Sequence, residues 1–362
     1  MDRNIPPKRN CLRFLVAPTK YDTITKPSEG LLPVSIKGKW GYIDNKGKEI
    51  VPLKYDEAGG VFDGLAWVKL NGKYGYIDNK GKIVIPCMYD SVEVFADGLI
   101  QVELNSKYGY FDRTGKVIIP CKYDKIGSLN EGLIEVNLNS KYGYFDKKGK
   151  VIVPCKYDYV RALNDGLIEI ESNGKYGLYD ISGKEIISCK YDFIEEFNGE
   201  ELAYVFINGK YGYINKTGNE VIPCIYDECT DFSEGLAAIR REGEYCYIDK
   251  TGKVILQLNS EYDDAWKFSE GLAVVRYDGK YGFIDKMTGV EIIPPKYSSI
   301  KEFNERKAIV SLNGKLGLID IITVKEIVPP KYKKIEMLSE EFARVMLKDK
   351  WGVISIKKEG KN

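Results

Sequence analysis

The chain repeats itself every 34 to 36 residues over almost its whole length. The motif Gly-Lys-(Trp/Tyr)-Gly, or a close variant, marks ten copies, whose third positions are Trp40, Tyr74, Tyr108, Tyr142, Tyr176, Tyr211, Tyr245, Tyr281, Leu316 and Trp351. A second motif, Tyr-Asp, keeps the same rhythm from Tyr21 to Tyr332. A fixed period of this kind indicates one supersecondary unit copied many times, in which each copy buries its apolar face on its neighbours. We therefore expect a repeat protein.

The copy between residues 99 and 124 shows the local pattern. Residues 99–104 alternate apolar and polar side chains, as a half-buried strand does. A turn that reads Asn-Gly in sister copies, the strongest short hairpin signal, leads into a second strand at 107–112. Residues 116–120 are apolar on both faces, so we expect a central or covered strand, ended by Pro120 because proline has no N–H to donate. Each copy is thus predicted to hold three strands and an irregular connector, with almost no helix.

Two glycines of this copy have predicted roles. Gly109, in the middle of the second strand, leaves room for a close backbone approach or for an aromatic ring. Gly115 closes an Asp-x-x-Gly turn, where it supplies a left-handed φ and Asp112 accepts hydrogen bonds from the turn amides.

These motifs carry a family resemblance. Gly-Lys-Trp-Gly-Tyr-Ile-Asp at 38–44, then Gly-Lys-Glu-Ile-Val-Pro, Tyr-Asp and Phe-Asp-Gly-Leu-Ala at 62–66, resemble the bacterial WG (KWG) repeat family. The resemblance covers residues 21–356. It departs where tyrosine replaces the signature tryptophan in most copies, where Cys246 replaces glycine, and where Leu316 replaces the aromatic residue. It implies a β-rich repeat module without catalytic residues, so no active site is carried over.

Two all-β architectures satisfy this pattern. We favour an open solenoid or superhelix, because propeller blades usually need four strands and about 40 residues. The alternative is a closed, propeller-like ring: residues 14–18 resemble a third strand and residues 350–355 a second strand, so the two ends complete one blade, unless they are cap segments. The predicted organisation is a degenerate cap segment at 1–20, a single repeat domain at 21–356 and a tail at 357–362.

Solution scattering separates these two architectures. A compact body of this length has a radius of gyration of about 21 Å. If each copy advances by one sheet spacing of about 10 Å, ten copies form a rod about 100 Å long, whose radius of gyration is about 30 Å. We expect a value near the larger figure, and a value near the smaller one would contradict the open array.

The composition excludes several kinds of active site. The chain has no histidine, which removes the commonest general base and metal ligand. Its 54 basic and 53 acidic residues give a net charge of +1, without the basic footprint of a nucleic-acid binder. The start lacks the form of a signal peptide, and no apolar run approaches the roughly 20 residues of a membrane span. We expect a cytoplasmic protein that is no enzyme, needs no cofactor, binds no nucleic acid and has no membrane span.

Five of the eight cysteines recur at one position of the repeat: Cys87, Cys121, Cys155, Cys189 and Cys224. None belongs to a C-x-x-C pair, so the pattern is not that of a zinc site. Cytosolic thiols stay reduced, which disfavours disulfides. We interpret the position as a small, half-buried packing residue.

Two charged positions also recur. A calcium ladder is one hypothesis for the aspartates, but a calcium ion needs six to eight oxygen ligands. We favour turn capping for the aspartates at this position, which are Asp44, Asp78, Asp112, Asp146, Asp180, Asp249, Asp285 and Asp320. Phosphate binding is one hypothesis for the lysines. We favour a charge that flanks the hairpin and keeps strand edges soluble, at Lys39, Lys73, Lys107, Lys141, Lys175, Lys210, Lys280, Lys315 and Lys350.

The candidate partner contacts come from positions that vary between copies. Such a position is expected to be exposed, and exposed Trp, Tyr and Arg are preferred interface anchors. This reasoning selects Trp67, Tyr204, Trp266 and Arg344. The function that we favour is a non-catalytic scaffold that binds a protein partner along an extended β surface. The alternative is a carbohydrate or cell-envelope binding module, since tandem aromatic hairpins can stack on sugars. Self-association through strand edges at the ends of the array is a further expectation.

Overall fold

The computed structural model describes residues 20–94, 98–259, 261–304, 307–320, 323 and 325–356, with the backbone alone at 302–304. The chain divides into two compact units, residues 1–160 and 161–362. The predicted tail at 357–362, the cap segment except Lys20, and the strand-like residues 14–18 lie outside the described residues.

The described residues form ten antiparallel sheets and no helix, nine sheets of four strands and a last one of three. Each sheet is a meander whose strands we name, in chain order, the connector strand, the two hairpin strands and the outer strand. The strands of the first three sheets are Thr23–Ile24, Leu31–Ile36, Lys39–Asp44 and Glu49–Tyr55; Glu57–Ala58, Leu65–Leu70, Lys73–Asp78 and Ile83–Tyr89; Ser91–Val94, Ile100–Leu104, Lys107–Phe111 and Val117–Tyr123.

The fourth to seventh sheets follow the same order. Their strands are Lys125–Ile126, Leu133–Leu138, Lys141–Asp146 and Val151–Tyr157; Tyr159–Ala162, Leu167–Ser172, Lys175–Asp180 and Glu185–Tyr191; Phe193–Ile194, Leu202–Ile207, Lys210–Asn215 and Glu220–Tyr226; Glu228–Cys229, Leu236–Arg241, Glu244–Asp249 and Val254–Gln257. The last three sheets contain Asp264–Ala265, Leu272–Tyr277, Lys280–Asp285 and Glu291–Tyr297; Ser299–Asn304, Lys307–Leu312, Lys315–Asp320 and Lys325–Tyr332; Lys334–Met337, Phe342–Leu347 and Lys350–Ser355.

The prediction of three strands per copy is wrong, because the connector contributes a fourth. In the fourth sheet, Lys125 and Ile126 pair with Asn137 and Val136 of the first hairpin strand. Most connector strands contain only two residues, which is too short to show a period of two in the sequence.

The third predicted strand is also placed differently. In the third sheet it runs through Pro120 to Tyr123, and it is an edge strand and not a central one, with one face packed on the fourth sheet. An edge strand has one side without a ladder, so a proline whose missing N–H faces that side costs no hydrogen bond. Val117, at its start, is 51% exposed.

The turn predictions are confirmed. Asn105 and Ser106, between the two hairpin strands, both have positive φ, as the predicted tight hairpin requires. The amides of Thr114 and Lys116 donate to Asp112 Oδ1 at 2.8 and 3.0 Å, and Gly115 has a φ of 85°.

Neighbouring sheets bury their apolar faces on each other within each compact unit. Between the third and fourth sheets the buried side chains include Tyr110, Ile119, Tyr123, Ile134, Val136 and Phe145. Equivalent clusters join the first three sheets, and then each sheet from the fifth to the ninth with the next. Because a fully buried aliphatic side chain contributes about 1.5–3 kcal/mol, these clusters are the main stabilising interaction.

The mid-strand glycine allows the outer strand to come close. A Cβ at Gly109 would lie 2.6 Å from the carbonyl oxygen of Ile119 in the outer strand. The tenth sheet has no described outer strand, and a Cβ at the equivalent Gly352 would meet no atom within 4 Å. The glycine is therefore required by the neighbouring strand and not by its own backbone conformation.

Replacing this glycine tests the close approach, with a built-in control. We expect Gly109→Ala to lower the free energy of unfolding by about 2 kcal/mol, because the methyl group overpacks the strand pair. Gly352→Ala places the same methyl group in open space and should change the free energy by less than about 0.5 kcal/mol. Urea denaturation measures both variants, and equal effects would contradict this role.

Candidate functional site

The four predicted contact residues lie in four different sheets, and each contacts the motif residue that precedes the glycine in its own sheet. Ring centroids are 5.9 Å apart for Trp67 and Tyr74, 5.9 Å for Tyr204 and Tyr211, and 5.7 Å for Trp266 and Tyr281, while the Arg344 guanidinium lies 4.7 Å from the centre of the Trp351 ring. The structure therefore gives each of the four a partner within its own sheet, and it places Trp67 in the first compact unit and the other three in the second.

Residues that vary between copies lie opposite one another, one in the connector and one on the first hairpin strand, and their side chains are complementary in size or polarity. Trp67 lies opposite Gly59, whose Cβ, if present, would overlap the indole ring. Trp266 donates its amide to the carbonyl of Val274 at 3.0 Å, so there the large residue stands on the other strand. The Tyr204 hydroxyl donates to Glu195 Oε2 at 2.8 Å. A large side chain thus faces a small one, and a hydroxyl faces a carboxylate.

In two other sheets the side chains at these opposite positions carry opposite charges. Arg161 Nε donates to Glu169 Oε2 at 3.1 Å in the fifth sheet, and Arg344 Nε donates to Glu336 Oε2 at 2.8 Å in the tenth, where the signs are exchanged between the strands. The residue at one of these positions therefore varies between copies together with the residue that faces it. The inference that a variable position is exposed is wrong at Glu169, which is 7% exposed, and at Ala238, which is 1% exposed.

Glu169 is the most buried carboxylate of these pairs. Burial raises the pKa of Glu169, and the Arg161 guanidinium opposes this shift. Arg161 also donates from Nη1 to Glu196 Oε1 at 2.7 Å, so one guanidinium holds two carboxylates.

The recurrent lysines form ion pairs between copies, which the sequence reading missed. Lys39 Nζ lies 2.6 Å from Asp56 Oδ1, and the Tyr-Asp motif supplies this aspartate 17 residues later. The same pair recurs as Lys73–Asp90, Lys107–Asp124, Lys141–Asp158, Lys175–Asp192 and Lys210–Asp227. The constant spacing of two charged motifs was the signal in the sequence. Because these side chains are partly exposed, each pair contributes little stability and mainly fixes geometry.

Five of these six aspartates also accept a backbone amide on the second carboxylate oxygen. Asp124 Oδ2 accepts the amide of Asn139 at 2.7 Å, at the hairpin turn of the following sheet. The Lys107 ammonium and the Asn139 amide together hold the pKa of Asp124 below its usual range. Lysines already paired in six copies are poor candidates for phosphate ligands.

The other recurrent polar residues are structural where the structure describes them. The turn aspartates cap backbone amides as expected, and the amide of Lys48 is the main reason that the pKa of Asp44 is lowered. Within the described ranges no group of three or more Cys, Asp or Glu residues is arranged to hold a metal ion. None of the seven described cysteines is in a disulfide, and burial raises the pKa of the Cys121 thiol.

Trp266 lines an apolar cleft of about 430 Å³ between the eighth and ninth sheets. Val274, Tyr281, Phe283 and Ile300 form much of its wall. Concave, largely apolar surroundings are typical of ligand-binding positions.

The first compact unit carries exposed aliphatic side chains at one recurrent position. Ile83, Val117 and Val151, which we call the aliphatic row, are 51%, 51% and 48% exposed. They occupy the first position of the outer strand in the second, third and fourth sheets. Five other sheets carry glutamate at the same strand register: Glu49, Glu185, Glu220, Glu291 and Glu326. This exchange of aliphatic residues for glutamate between copies is visible in the sequence, although it did not contribute to the predicted contacts.

The three sheets that carry the row adjoin one another. The Asp-x-x-Gly turn of the third sheet places Gly115 against the carbonyl oxygen of Val84, and Gly149 of the fourth sheet lies in the same way against Ile118. A groove of about 330 Å³, lined in part by Lys82, Ile83 and Arg113, lies at the Ile83 end of the row. Exposed apolar side chains that adjoin in this way are typical of interaction surfaces.

Comparison with protein families gives one match, which covers most of the chain. The model described as "WG containing repeat" matches residues 14–40, 40–74, 74–108, 108–142, 142–176, 176–211, 211–245, 247–281, 281–315 and 317–351. The first match begins within the predicted cap segment, and the match at 142–176 runs through the boundary between the compact units. No curated protein matches the chain.

Several solved structures are distantly similar. A eukaryotic initiation factor shares 10% identity over 81% of this chain and 93% of its own, with a TM-score of 0.38. The extracellular domain of a putative one-component system from B. thetaiotaomicron shares 11% identity over 92% of this chain, with a TM-score of 0.29, and the chain spans 64% of that domain. The tricorn protease shares 12% identity over 89% of this chain and 46% of its own, with a TM-score of 0.31. These likenesses are too distant to imply a shared function.

The Arg161–Glu169 pair gives a test of the complementary positions. We expect Arg161→Ala to cost about 1–2 kcal/mol at pH 7, because a buried carboxylate loses its cation. Its matched control, Arg344→Ala, breaks the same pair where both side chains are exposed and should cost less than about 0.5 kcal/mol.

The pH dependence has a definite sign. Without Arg161, the folded-state pKa of Glu169 stands further above the unfolded value of about 4.3, so the penalty exists only while Glu169 is ionised. Urea denaturation of Arg161→Ala should therefore show a penalty that shrinks as the pH falls from about 7 toward 5. An equal cost in both variants, independent of pH, would show that the pair does not determine these positions.

Proposed function

We infer that this chain, which belongs to the WG-repeat family, is a non-catalytic scaffold that binds a protein partner along its β surface. The aliphatic row carries this proposal. Three aliphatic side chains, each about half exposed on adjoining sheets, form a surface that gains stability when a partner covers it. The absence of histidine supports a role without catalysis or cofactor.

Aliphatic side chains favour a protein over a sugar as the partner. Sugar rings stack on flat aromatic faces, whereas valine and isoleucine pack against other irregular apolar side chains. The chain does repeat an aromatic residue at the motif position, half-buried in most sheets, and this observation keeps carbohydrate binding as the second candidate. In several sheets, however, a side chain of the same sheet lies over that ring, as Lys69 does 4.8 Å from the centre of Tyr74.

The proposal extends to the remaining expectations. Trp67, Tyr204, Trp266 and Arg344 are proposed as further contacts, for which half-buried rings and a stacked guanidinium provide rigid anchors. The described part of the chain has no helix long and apolar enough to cross a membrane. A cytoplasmic location, and binding of protein in preference to nucleic acid, are part of the same proposal.

Replacement of the row by glutamate tests the proposal. The triple variant Ile83→Glu/Val117→Glu/Val151→Glu should fold normally, because other sheets carry glutamate at this position. The matched control is Val254→Glu, which makes the same change in the seventh sheet, where the sixth and eighth sheets already carry glutamate. Each chain is immobilised, exposed to lysate of the cells that produce it, and analysed by mass spectrometry.

We expect a protein that wild type and Val254→Glu retain and that the triple variant loses. A partner that the triple variant still retains would contradict the row as the contact surface. Recovery of envelope glycan alone would replace the proposal with the carbohydrate candidate. A Trp67→Ala/Trp266→Ala variant in the same assay tests the aromatic contacts, provided that its melting temperature matches that of wild type.

A further inference from the structure

The sixth sheet carries an aromatic pair where other sheets carry a charged one. Phe193 of the connector strand lies opposite Phe206 of the first hairpin strand. At the same register the second, seventh and eighth sheets form ion pairs, which are Glu57 with Lys69, Glu228 with Arg240 and Asp264 with Arg276. Because those sheets keep the same register with charged residues, the fold itself does not require aromatic side chains here.

Two further rings extend the pair into a cluster, which we call the aromatic platform: Phe193, Tyr204, Phe206 and Tyr211. Ring centroids are 5.9 Å apart for Phe193 and Tyr204, 5.9 Å for Tyr204 and Tyr211, and 4.6 Å for Phe206 and Tyr211. Phe193 is 42% exposed, and the other three side chains are half-buried. Such rings are preferred interface anchors, because each offers a large apolar area and has few rotatable bonds.

One carboxylate lies beside these rings. Glu195 follows Phe193 by two residues in the chain, and it accepts the Tyr204 hydroxyl at 2.8 Å. In the part of the chain that the structure describes, Glu195 has no ion-pair partner, and its side chain is half-buried. A basic side chain of a ligand would therefore find a complementary charge at the edge of the platform.

The low polar content of the platform favours proline rings over sugar rings. Phe193 and Phe206 carry no polar atom, and the Tyr204 hydroxyl already donates to Glu195. A sugar that stacked on these rings would bury hydroxyl groups without hydrogen-bond partners, at a cost of about 1–3 kcal/mol for each group. A proline ring has no N–H to satisfy, and a proline-rich segment already holds the polyproline II conformation before it binds.

We propose that the aromatic platform and Glu195 bind a proline-rich segment of a partner protein, in the polyproline II conformation and with a basic residue beside its prolines. This inference rests on the proposed scaffold function, because the ligand is a protein, and it uses a surface other than the aliphatic row.

Nucleic acid fits the platform less well, although bases also stack on aromatic rings. Phosphate groups need free cations. Lys210, a chain neighbour of the platform, already pairs with Asp227. Asp192, the chain neighbour on the other side, pairs with Lys175. The carboxylate of Glu195 would in addition repel a phosphate group.

A labelled peptide tests the proposal on the full chain. The probe is a fluorescein-labelled decaproline with an arginine at each end, and its binding is followed by fluorescence anisotropy. One control peptide replaces the prolines with alanine, and another replaces the arginines with glutamate. A cello-oligosaccharide and an oligothymidine are each added as competitors.

The other sheets supply matched variants. Phe193→Glu/Phe206→Lys gives the sixth sheet the pair that Glu57 and Lys69 form in the second, so it should keep the wild-type melting temperature. Its control, Glu57→Lys/Lys69→Glu, reverses the pair in the second sheet and leaves the platform intact. Phe193→Thr, with the residue that the first sheet carries at this register, changes the exposed ring alone.

We expect wild type and the second-sheet control to bind the probe alike, and Phe193→Glu/Phe206→Lys to bind it at least about tenfold more weakly. Phe193→Thr should lose several-fold. Glu195→Gln keeps an acceptor for the Tyr204 hydroxyl but removes the charge, so it should also lose several-fold, together with much of the salt dependence.

Four results would overturn the proposal. They are a lack of probe binding by wild type, equal affinity for either control peptide, unchanged binding by both phenylalanine variants, and displacement of the probe by the oligosaccharide or the oligothymidine. Displacement by the oligosaccharide would favour the carbohydrate candidate, and displacement by the oligothymidine would indicate a nucleic-acid site.

The outcomes also separate this inference from the proposed role of the aliphatic row. The platform lies in the second compact unit and the row in the first, so the triple glutamate variant should bind the probe like wild type. If the probe fails to bind while the triple variant loses its cellular partner, only the platform proposal falls. If the probe binds the platform while the triple variant keeps its cellular partner, the row is wrong and the platform stands.

Discussion

Burial of each sheet's apolar face on the next is the interaction on which the rest of this structure depends. A meander of four short strands buries too little apolar surface to be stable alone, so every sheet needs its neighbour. The polar contacts between copies then fix how neighbours meet. The Tyr110 hydroxyl donates to the carbonyl of Gly127 in the next sheet at 3.0 Å, and the lysine–aspartate pairs join consecutive sheets. The same few contacts recur because the same residues recur.

The outer strand connects this packing to the surface available for binding. Its middle is held against the glycine of the hairpin strand, and its proline has no N–H with which another strand could pair, which protects an exposed edge from aggregation. The first residue of the strand lies outside both the contact with the glycine and the proline position. This position carries glutamate in five sheets and Ile83, Val117 and Val151 in the three adjoining sheets of the row. A binding surface can therefore change without disturbing the stack.

Much of the fold was accessible from the sequence, because periodicity and turn chemistry are local. The ten copies, the hairpins and the capping by Asp112 follow from spacing and from residue types with strong backbone preferences. The two-residue connector strands were not accessible, since two residues show no period. The site depends on contacts between strands and copies, such as Gly59 beneath Trp67 or Lys39 with Asp56. The sequence does not show which residues face each other across strands or copies, and exposure was therefore wrongly inferred at Glu169 and Ala238.

The most direct test of the central claim is a photo-cross-link from the aliphatic row inside the cells that produce the protein. A benzoylphenylalanine at position 117 lies on the row, and one at position 254 occupies the same register in a sheet flanked by glutamates. The account predicts that position 117 forms a covalent adduct with another protein and that position 254 does not. An adduct at 254 alone, or no protein adduct at 117, would contradict a protein-binding function for this surface.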